Sequence, residues 1–356
     1  MTEAPVNNSS SEVVIRTRPE PICFLCGRTG KPLHQDLQDR LFYAPGKWTL
    51  VQCPGPDCGL AWLDPMPVEE DIGKAYATYY THPSDDLPAR LNLGFRIYLS
   101  LRDGYVGRRY GYPSTLWQRL LSPAINLRPG WKAEADFSVL HQPSPRARMS
   151  LLDIGCGDGA ALLRMRDLGW EVHGIDPDKE AVERARQRGL DVRVGTIEDH
   201  PYPASTFDLV TLTHVIEHVH DPVALLTECR RILKPGGKLV VHTPNFQSFG
   251  YSIYGDAWRG LEPPRHLHVF SLKSLRQLLE RSGQWRTESL RTTVRGAGVI
   301  FAASKDIRQR NAAVMGRRWN LLERLKTDAQ VVGESVSLPL RPTVGEEILL
   351  IAVRKD

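Results

Sequence analysis

The run Leu151-Leu152-Asp153-Ile154-Gly155-Cys156-Gly157-Asp158-Gly159 decides the fold of this chain. A short apolar strand over 150–154 delivers a glycine turn at its C-terminal end. A helix over 160–168 starts directly behind the turn and stops at Gly169. Glycine lets the backbone turn tightly and lets a ligand approach without interference from a Cβ. Outward from there, 171–175 reads as a second strand, 179–188 as a helix stopping at Gly189, 191–194 as a third strand and 207–212 as a fourth. Asp221 is a good N-cap with Pro222 at the first helical position. Leu225, Leu226, Cys229, Ile232 and Leu233 then make one apolar helical face. Pro235-Gly236-Gly237 ends that helix, and 238–242 is a fifth strand. A helix over 272–281, an Arg-rich surface helix over 306–326 and a last strand over 347–353 complete the pattern. Strand–helix alternation of this kind predicts an α/β fold, a parallel sheet with helices on both faces.

Asp176 ends the second strand, 21 residues after Gly155. An acid at that place grips the two hydroxyls of a ribose. The glycine spacing is G-x-G-x-G rather than G-x-G-x-x-G, and Asp153 and Asp158 flank the turn. Carboxylates repel a pyrophosphate and favour a cationic group, which separates this loop from a dinucleotide site.

A chain of 356 residues has room for about two domains. The net charge of +5 is modest and acids and bases are mixed throughout. That permits an acidic substrate but lacks the dense basic stripe of a nucleic-acid binder. No apolar run is long enough to span a bilayer, and the first twenty residues lack the features of a signal peptide; a cytoplasmic location is the expectation. Composition divides the chain into a disordered leader (1–20), a cysteine-bearing module (21–67), a broken helical linker or lid (68–148) and the α/β domain (149–356).

Four of the six cysteines, Cys23, Cys26, Cys53 and Cys58, fall within 36 residues. In a reducing compartment such a cluster suggests metal rather than disulfides. Four thiolates on two tight turns suit one tetrahedral zinc, which would supply folding energy to a unit too small for its own core. The second pair is C-x-x-x-x-C, wider than C-x-x-C, and His34 is an alternative ligand.

The motifs Asp153–Gly159, Gly174-Ile175-Asp176-Pro177, Phe207-Asp208-Leu209-Val210, Val215-Ile216-Glu217-His218 and Leu233-Lys234-Pro235-Gly236-Gly237 resemble, in order, those of class I S-adenosylmethionine-dependent methyltransferases. The resemblance covers roughly 150–285. It implies a Rossmann-like sheet, S-adenosylmethionine as cofactor, the glycine turn (Asp153, Gly155, Cys156, Gly157, Gly159) on its methionine part, and Asp176 with Pro177 on its ribose. The family's Gly-Asp-x-x-x-x-Pro motif stands here as Gly195-Thr196-Ile197-Glu198-Asp199-His200-Pro201. Thr196 replaces the usual Asp, so the adenine contact falls to Thr196, the Ile197 amide or Glu198, with Thr213 completing the expected set. The wider chain is similar to a bacterial subgroup with a zinc-ribbon-like N-terminus, a Cys-Gly-Leu-x-x-x-x-Pro-x-Pro ending (Cys58 to Pro67), a tyrosine-rich segment (Tyr76-Ala77-Thr78-Tyr79-Tyr80) and a Pro-Arg-His-Leu motif (Pro264 to Leu267). That subgroup is associated with methylation of sugars, lipids and small natural products.

His214, Glu217 and His218, at i, i+3 and i+4, share one face if helical. They follow the fourth strand, at the edge where ligands bind in such folds. His266 lies in a loop after the fifth strand. Three roles stay open for these residues: structural, general base for a hydroxyl acceptor, or ligands to Mg²⁺ or Mn²⁺, by similarity to the Glu-x-x-Glu-His arrangement of ubiquinone-pathway and small-RNA methyltransferases. Tyr251, Tyr254 and Trp258 are candidate pocket aromatics. The expected activity is methyl transfer to a hydroxyl of a small molecule, glycan or natural-product intermediate. A non-catalytic cofactor-fold binding protein and a nucleic-acid methyltransferase are the alternatives. The sequence does not specify an oligomeric state.

Overall fold

The computed structural model describes residues 14–77, 93–309, 321–338 and 340–356. At the N-terminal end, β1 (Thr17–Arg18) pairs antiparallel with β5 (Met66–Pro67), while β2 (Lys31–Leu37), β3 (Trp48–Gln52) and β4 (Ala61–Leu63) form an antiparallel meander. Helices follow at Glu69–Ile72, Leu93–Tyr110, Leu116–Leu121 and Pro129–Phe137. The remaining strands are β6 (Ser150–Ile154), β7 (Glu171–Asp176), β8 (Asp191–Val194), β9 (Phe207–Thr213), β10 (Leu233–Pro244), β11 (His268–Val269), β12 (Trp285–Thr293) and β13 (Glu347–Arg354).

Seven of them make one sheet in the order β12-β13-β10-β9-β6-β7-β8. Pairs among β6 to β10 are parallel, and β13 runs antiparallel to both its neighbours. The chain runs from β6 outward one way to β7 and β8, then returns to β9 on the other side. That reversal opens a crevice at the C-terminal ends of β6 and β9, the ligand position in Rossmann-like sheets. Because β13 is antiparallel, its first residue Glu347 lies at the same edge, opposite Pro244 and Thr293.

The apolar helical face read from sequence is the buried one: Leu225, Leu226, Cys229 and Ile232 of helix Pro222–Ile232 face the sheet. Asp221 accepts from the Ala224 N–H (2.8 Å), as an N-cap should. Pro235-Gly236-Gly237 does not precede the fifth strand but sits inside it. Gly236 takes φ +75°, and the register with β9 shifts between Leu233 and Lys238.

Three expectations need correction, and one strand has no counterpart among them. Residues 14–20, taken with the leader on composition, pack against the body: the Arg16 N–H and guanidinium both donate to Asp71, and Trp62 Nε1 donates to the Glu20 carbonyl (2.7 Å). Residues 1–13 lie outside the described residues. The stretch 214–218 is a turn, not a helix, because His214 adopts φ +53° and the helix begins only at Pro222. The surface helix expected from 306 starts earlier, as Ala297–Gln309, and Leu321–Ser337 is helical beyond 310–320, which lie outside the described residues. Strand β12 was not read at all. It is an edge strand with a largely exposed middle, so it lacks an apolar alternation.

The N-terminal meander is not a free-standing unit. Strand β11 adds to it antiparallel, His268 opposite Trp62 and Val269 opposite Ala61, giving the sheet β11-β4-β3-β2. Its core is one cluster with that of the main sheet, in which Leu60, Trp62, Leu267 and Phe270 are buried together. Each such side chain contributes about 1.5–3 kcal/mol on burial.

Candidate active site

The glycine turn is built as its spacing demands. Gly155, Gly157 and Gly159 all take positive φ (+75°, +54° and +78°). A Cβ at Gly155 would stand 2.4 Å from Val215, and one at Gly159 2.3 Å from Leu190, so close packing as well as backbone freedom requires glycine there. At Gly157 a Cβ would meet nothing within 4 Å, so this residue alone borders open space. Cys156 is buried against Gly174, where a Cβ would come 2.7 Å from its sulfur.

Asp176 ends β7 with both oxygens engaged, accepting from the Gly157 N–H (2.7 Å) and the Asp178 N–H (2.9 Å). Each carboxylate oxygen has a second lone pair for a ligand hydroxyl. Asp153 is buried and accepts from the Thr211 hydroxyl (2.6 Å). Burial, with the Asp176 charge adding and the Thr211 hydrogen bond opposing, pushes its carboxyl up to about 7. Burial likewise raises Asp176. Asp158 differs: it is paired with Arg188 (2.8 Å) and accepts from the Ala160 N–H. The acids that flank the turn without a cationic partner are thus Asp153 and Asp176. An aminosulfonium ligand with a ribose diol fits this donor set, supplying positive charge to buried carboxyls and hydroxyls to Asp176.

Thr196 sits in a loop closed by Asp199, whose Oδ2 accepts from both the Thr196 N–H (2.8 Å) and its hydroxyl (3.0 Å). Asp199 therefore organises the loop that the missing motif acid leaves open. Ile197 is buried beside it and Glu198 is exposed. Pro177 follows Asp176, and Thr213 ends β9, both on the crevice edge.

Past β9 the chain assembles a second constellation. Glu217 is fully buried; one oxygen lies 3.1 Å from His214 Nδ1, and the other accepts from the Thr243 hydroxyl (2.9 Å). His218 Nδ1 lies 3.0 Å from the Arg265 carbonyl and 3.0 Å from the Tyr76 hydroxyl. A carbonyl only accepts, so Nδ1 carries the proton and Nε2 keeps a lone pair. The same logic applies to His266, whose Nδ1 donates to the Gly260 carbonyl (2.7 Å). The two imidazoles meet edge to face, with centroids 4.7 Å apart. Ligand atoms of Glu217, His218 and His266 all lie within 4.8 Å of one another. Burial holds both imidazoles below the usual histidine range, His266 well below, so they are neutral near pH 7.

His214 is of another kind. Its Nε2 lies 3.1 Å from Glu347, itself held by Arg295 (3.1 Å). Burial opposes its charge, but hydrogen bonds to Glu217 and Glu347 outweigh that and raise it to about 9. His214 is therefore an imidazolium bridging two carboxylates.

Behind His218, Arg265 is completely buried. It pairs with Asp39 (2.7 Å) and Glu262 (2.8 Å) and donates to the Ala75 carbonyl (2.9 Å), its guanidinium over the Phe42 ring. Asp39 in turn accepts from the N–H groups of Leu41, Phe42 and Ala44. One side chain thus ties the N-terminal meander, the Tyr76 segment and the His218 carbonyl partner together.

Cys23, Cys26, Cys53 and Cys58 converge, with sulfur separations of 3.7 Å (Cys23–Cys58) and 3.2 Å (Cys26–Cys53). Disulfides would need about 2.05 Å, whereas tetrahedral zinc with Zn–S near 2.3 Å needs about 3.8 Å. His34 is not among them; its Nε2 bonds the Tyr251 hydroxyl (2.9 Å). Gly27 and Gly59 take positive φ just after each pair, closing the turns.

Residues 132–284 match the methyltransferase domain family. The chain is 36% identical over 160 residues to a ubiquinone biosynthesis O-methyltransferase of Xanthomonas oryzae, covering 39% of this chain and 67% of that protein. The chain belongs to the S-adenosylmethionine-dependent methyltransferases. A second relative, the ubiquinone biosynthesis O-methyltransferase of Cereibacter sphaeroides, is 41% identical over 140 residues, which span 37% of this chain and 57% of that protein. An S-adenosylmethionine-dependent methyltransferase structure from Mesorhizobium loti aligns with a TM-score of 0.43 at 19% identity, over 62% of this chain and 98% of that one.

In this methyltransferase the family match starts at residue 132, so the cysteine cluster and helices Leu93–Tyr110 and Leu116–Leu121 lie ahead of it. The structure brings His214, Glu217, His218 and His266 together, while Cys23, Cys26, Cys53 and Cys58 gather elsewhere. Sequence reasoning missed Asp39, Glu347 and Arg295, which carry no local signal. Arg265 and Tyr76 had one, since both lie in the subgroup motifs. Tyr79 and Tyr80 lie outside the described residues. Tyr251 packs on Phe246 and on Trp258 (ring centroids 4.6 and 5.7 Å).

Proposed function

We propose that this chain transfers the methyl group of S-adenosylmethionine to a hydroxyl of a small organic acceptor, a sugar or a natural-product intermediate. The carrying observation is that His218, with its Nε2 lone pair free, sits past β9 at the sheet edge that also holds Asp153 and Asp176. S-adenosylmethionine, when bound, supplies an electrophilic methyl on a sulfonium. The glycine turn and Asp153 receive its cationic end, and Asp176 grips its ribose. His218 would accept the proton of the acceptor hydroxyl at Nε2, while the Arg265 carbonyl holds Nδ1–H and fixes the tautomer. The relatives' names, O-methyltransferases of ubiquinone biosynthesis, support a hydroxyl acceptor. The zinc-ribbon-like module with four thiolate ligands is part of the same proposal, as a structural element.

A second reading has one observation behind it: Glu217, His218 and His266 form a group able to hold a divalent ion such as Mg²⁺ or Mn²⁺. The two readings part on one experiment, transfer of labelled methyl to phenolic and sugar hydroxyls with and without mild chelation. A base predicts turnover that survives chelation. His218→Ala then loses about a hundredfold or more in turnover with unaltered S-adenosylhomocysteine binding. Transfer that dies with chelator and returns with Mg²⁺, zinc content unchanged, favours the ion. No labelled product on any hydroxyl acceptor defeats both.

A further inference from the structure

We propose that residues 93–128 form an interfacial patch that seats this protein on an anionic phospholipid bilayer. Helix Leu93–Tyr110 runs antiparallel to the segment that follows it: a Cβ at Gly104 would stand 1.9 Å from the Gln118 carbonyl, and one at Gly107 would stand 1.9 Å from Ser114. The two helices thus meet backbone to backbone, and helix Leu116–Leu121 buries none of its own residues. Its apolar side chains face outward instead. Leu116 is 69% exposed, Trp117 73%, Leu120 59% and Leu121 59%, and Leu127 in the next turn is 85% exposed. Large contiguous apolar surface of this kind on a soluble domain marks a partner or a membrane.

Charge selects the bilayer. Between 93 and 128 the exposed ionisable residues are arginines, among them Arg96, Arg108, Arg119 and Arg128. The segment's one acid, Asp103, is taken by Arg102 (2.7 Å) and Arg164 (3.3 Å). A protein partner of mixed charge would leave these guanidiniums uncompensated, whereas anionic headgroups supply a sheet of negative charge. A cavity of about 270 Å³ lies between the first helix and the 122–127 turn, with Arg108, Arg109 and Asn126 in its wall. There Arg108 offers its guanidinium to a phosphate group, beside Arg109, which is paired with Asp136 (3.4 Å). Tryptophan and arginine are the side chains that anchor at the headgroup level. A six-residue helix lies in the plane of the interface; among the described residues no helix is long and apolar enough to cross a membrane. The patch is fastened to the catalytic domain through Trp131 on Tyr98 (centroids 5.4 Å) and Arg295 over the Phe137 ring (3.5 Å). It precedes residue 132, so it lies outside the family match.

Co-sedimentation of the full chain with vesicles of phosphatidylcholine alone or mixed with phosphatidylglycerol tests this. The expected result is pelleting with phosphatidylglycerol vesicles only, weakened by salt. The triple change Trp117→Ser, Leu120→Ser, Leu121→Ser should lower vesicle affinity by at least about tenfold. The pair Arg108→Glu, Arg119→Glu should act mainly on the anionic vesicles. Unchanged melting and S-adenosylhomocysteine affinity in these exposed-site variants show that the fold is retained. Equal pelleting of wild type and triple variant overturns the proposal. So does a wild-type dimer in solution that the triple change dissolves while neither protein binds vesicles.

Discussion

The half of the crevice proposed for the cofactor and the half proposed for the acceptor are made by opposite means. Asp153, Gly155, Gly157 and Asp176 come from one strand–turn–helix–strand stretch of 24 residues, in which Asp176 holds the Gly157 N–H, and Asp153 reaches out of it to the Thr211 hydroxyl. The acceptor half draws Asp39, Tyr76, Glu217, Arg265 and Glu347 from five places along the chain, joined by side-chain ion pairs and buried carbonyls. The first can tolerate loss of distant structure; the second depends on every segment being in place.

That contrast is broken most directly by stripping the metal proposed for Cys23, Cys26, Cys53 and Cys58. The meander should then unfold, exposing the buried indoles of Trp48 and Trp62. A red-shifted tryptophan emission with lost turnover but retained S-adenosylhomocysteine binding is the expected outcome. Zinc-free protein with native emission and full turnover would show that the two halves are not so divided. Next in size is Arg265→Leu, which leaves Asp39 buried without its guanidinium and Glu262 with Arg259 alone. A loss of about 3–5 kcal/mol in denaturant unfolding is expected, together with a fall in turnover as the backbone carbonyl that holds His218 loses its fixed position.

On the cofactor side a single side chain should act alone. Asp176→Ala should weaken S-adenosylhomocysteine binding by at least about tenfold in calorimetry, because a charged acceptor is lost, while the melting point of the meander stays put. An Asp176 variant that binds as tightly as wild type would remove the ribose assignment.

How much could be read in advance follows the same line. The glycine turn, Asp176, strands β6 to β9 and the Pro222–Ile232 helix are legible because their signals are local: a cap, a glycine, an apolar period. Arg265 and Asp39 are not, although Arg265 stands in a quoted motif, since a pairing across more than two hundred residues leaves no periodic trace. His214 illustrates a local misreading. Its i, i+3, i+4 spacing with Glu217 and His218 suggested a helix face, but the left-handed residue turns the chain, and the three meet through a turn instead. Edge strand β12, polar in its middle, had no pattern to find.

The smallest effect concerns pH on the acceptor side. Glu334 and Glu346 are buried together; the Glu346 N–H donates to Glu334 (2.7 Å), and Glu334 Oε2 has no partner. Burial first, then mutual charge, raises Glu334 to about 9; burial raises Glu346 to about 7. The folded chain therefore holds more protons than the unfolded one above the ordinary glutamate range. The contribution of this pair to stability is full in mild acid and declines as pH rises toward 9. Glu334→Gln, which mimics the neutral form, should flatten that decline and raise Tm at pH 8 by about 2 °C. A melting profile with the same slope in both proteins would count against the buried pair.

The pairing of β11 with β4 also has a consequence for how the chain is made. Strand Ala61–Leu63 leaves the ribosome roughly two hundred residues before His268–Val269, the strand that covers its edge. At about 5–20 residues per second, that edge stays open for some tens of seconds. During that interval the four thiolates, which are all synthesised by residue 58, are the local staple available to keep the meander in register. If the proposed zinc binds there, metal supply at the moment of synthesis would govern yield of the native chain, not only the stability of the finished one.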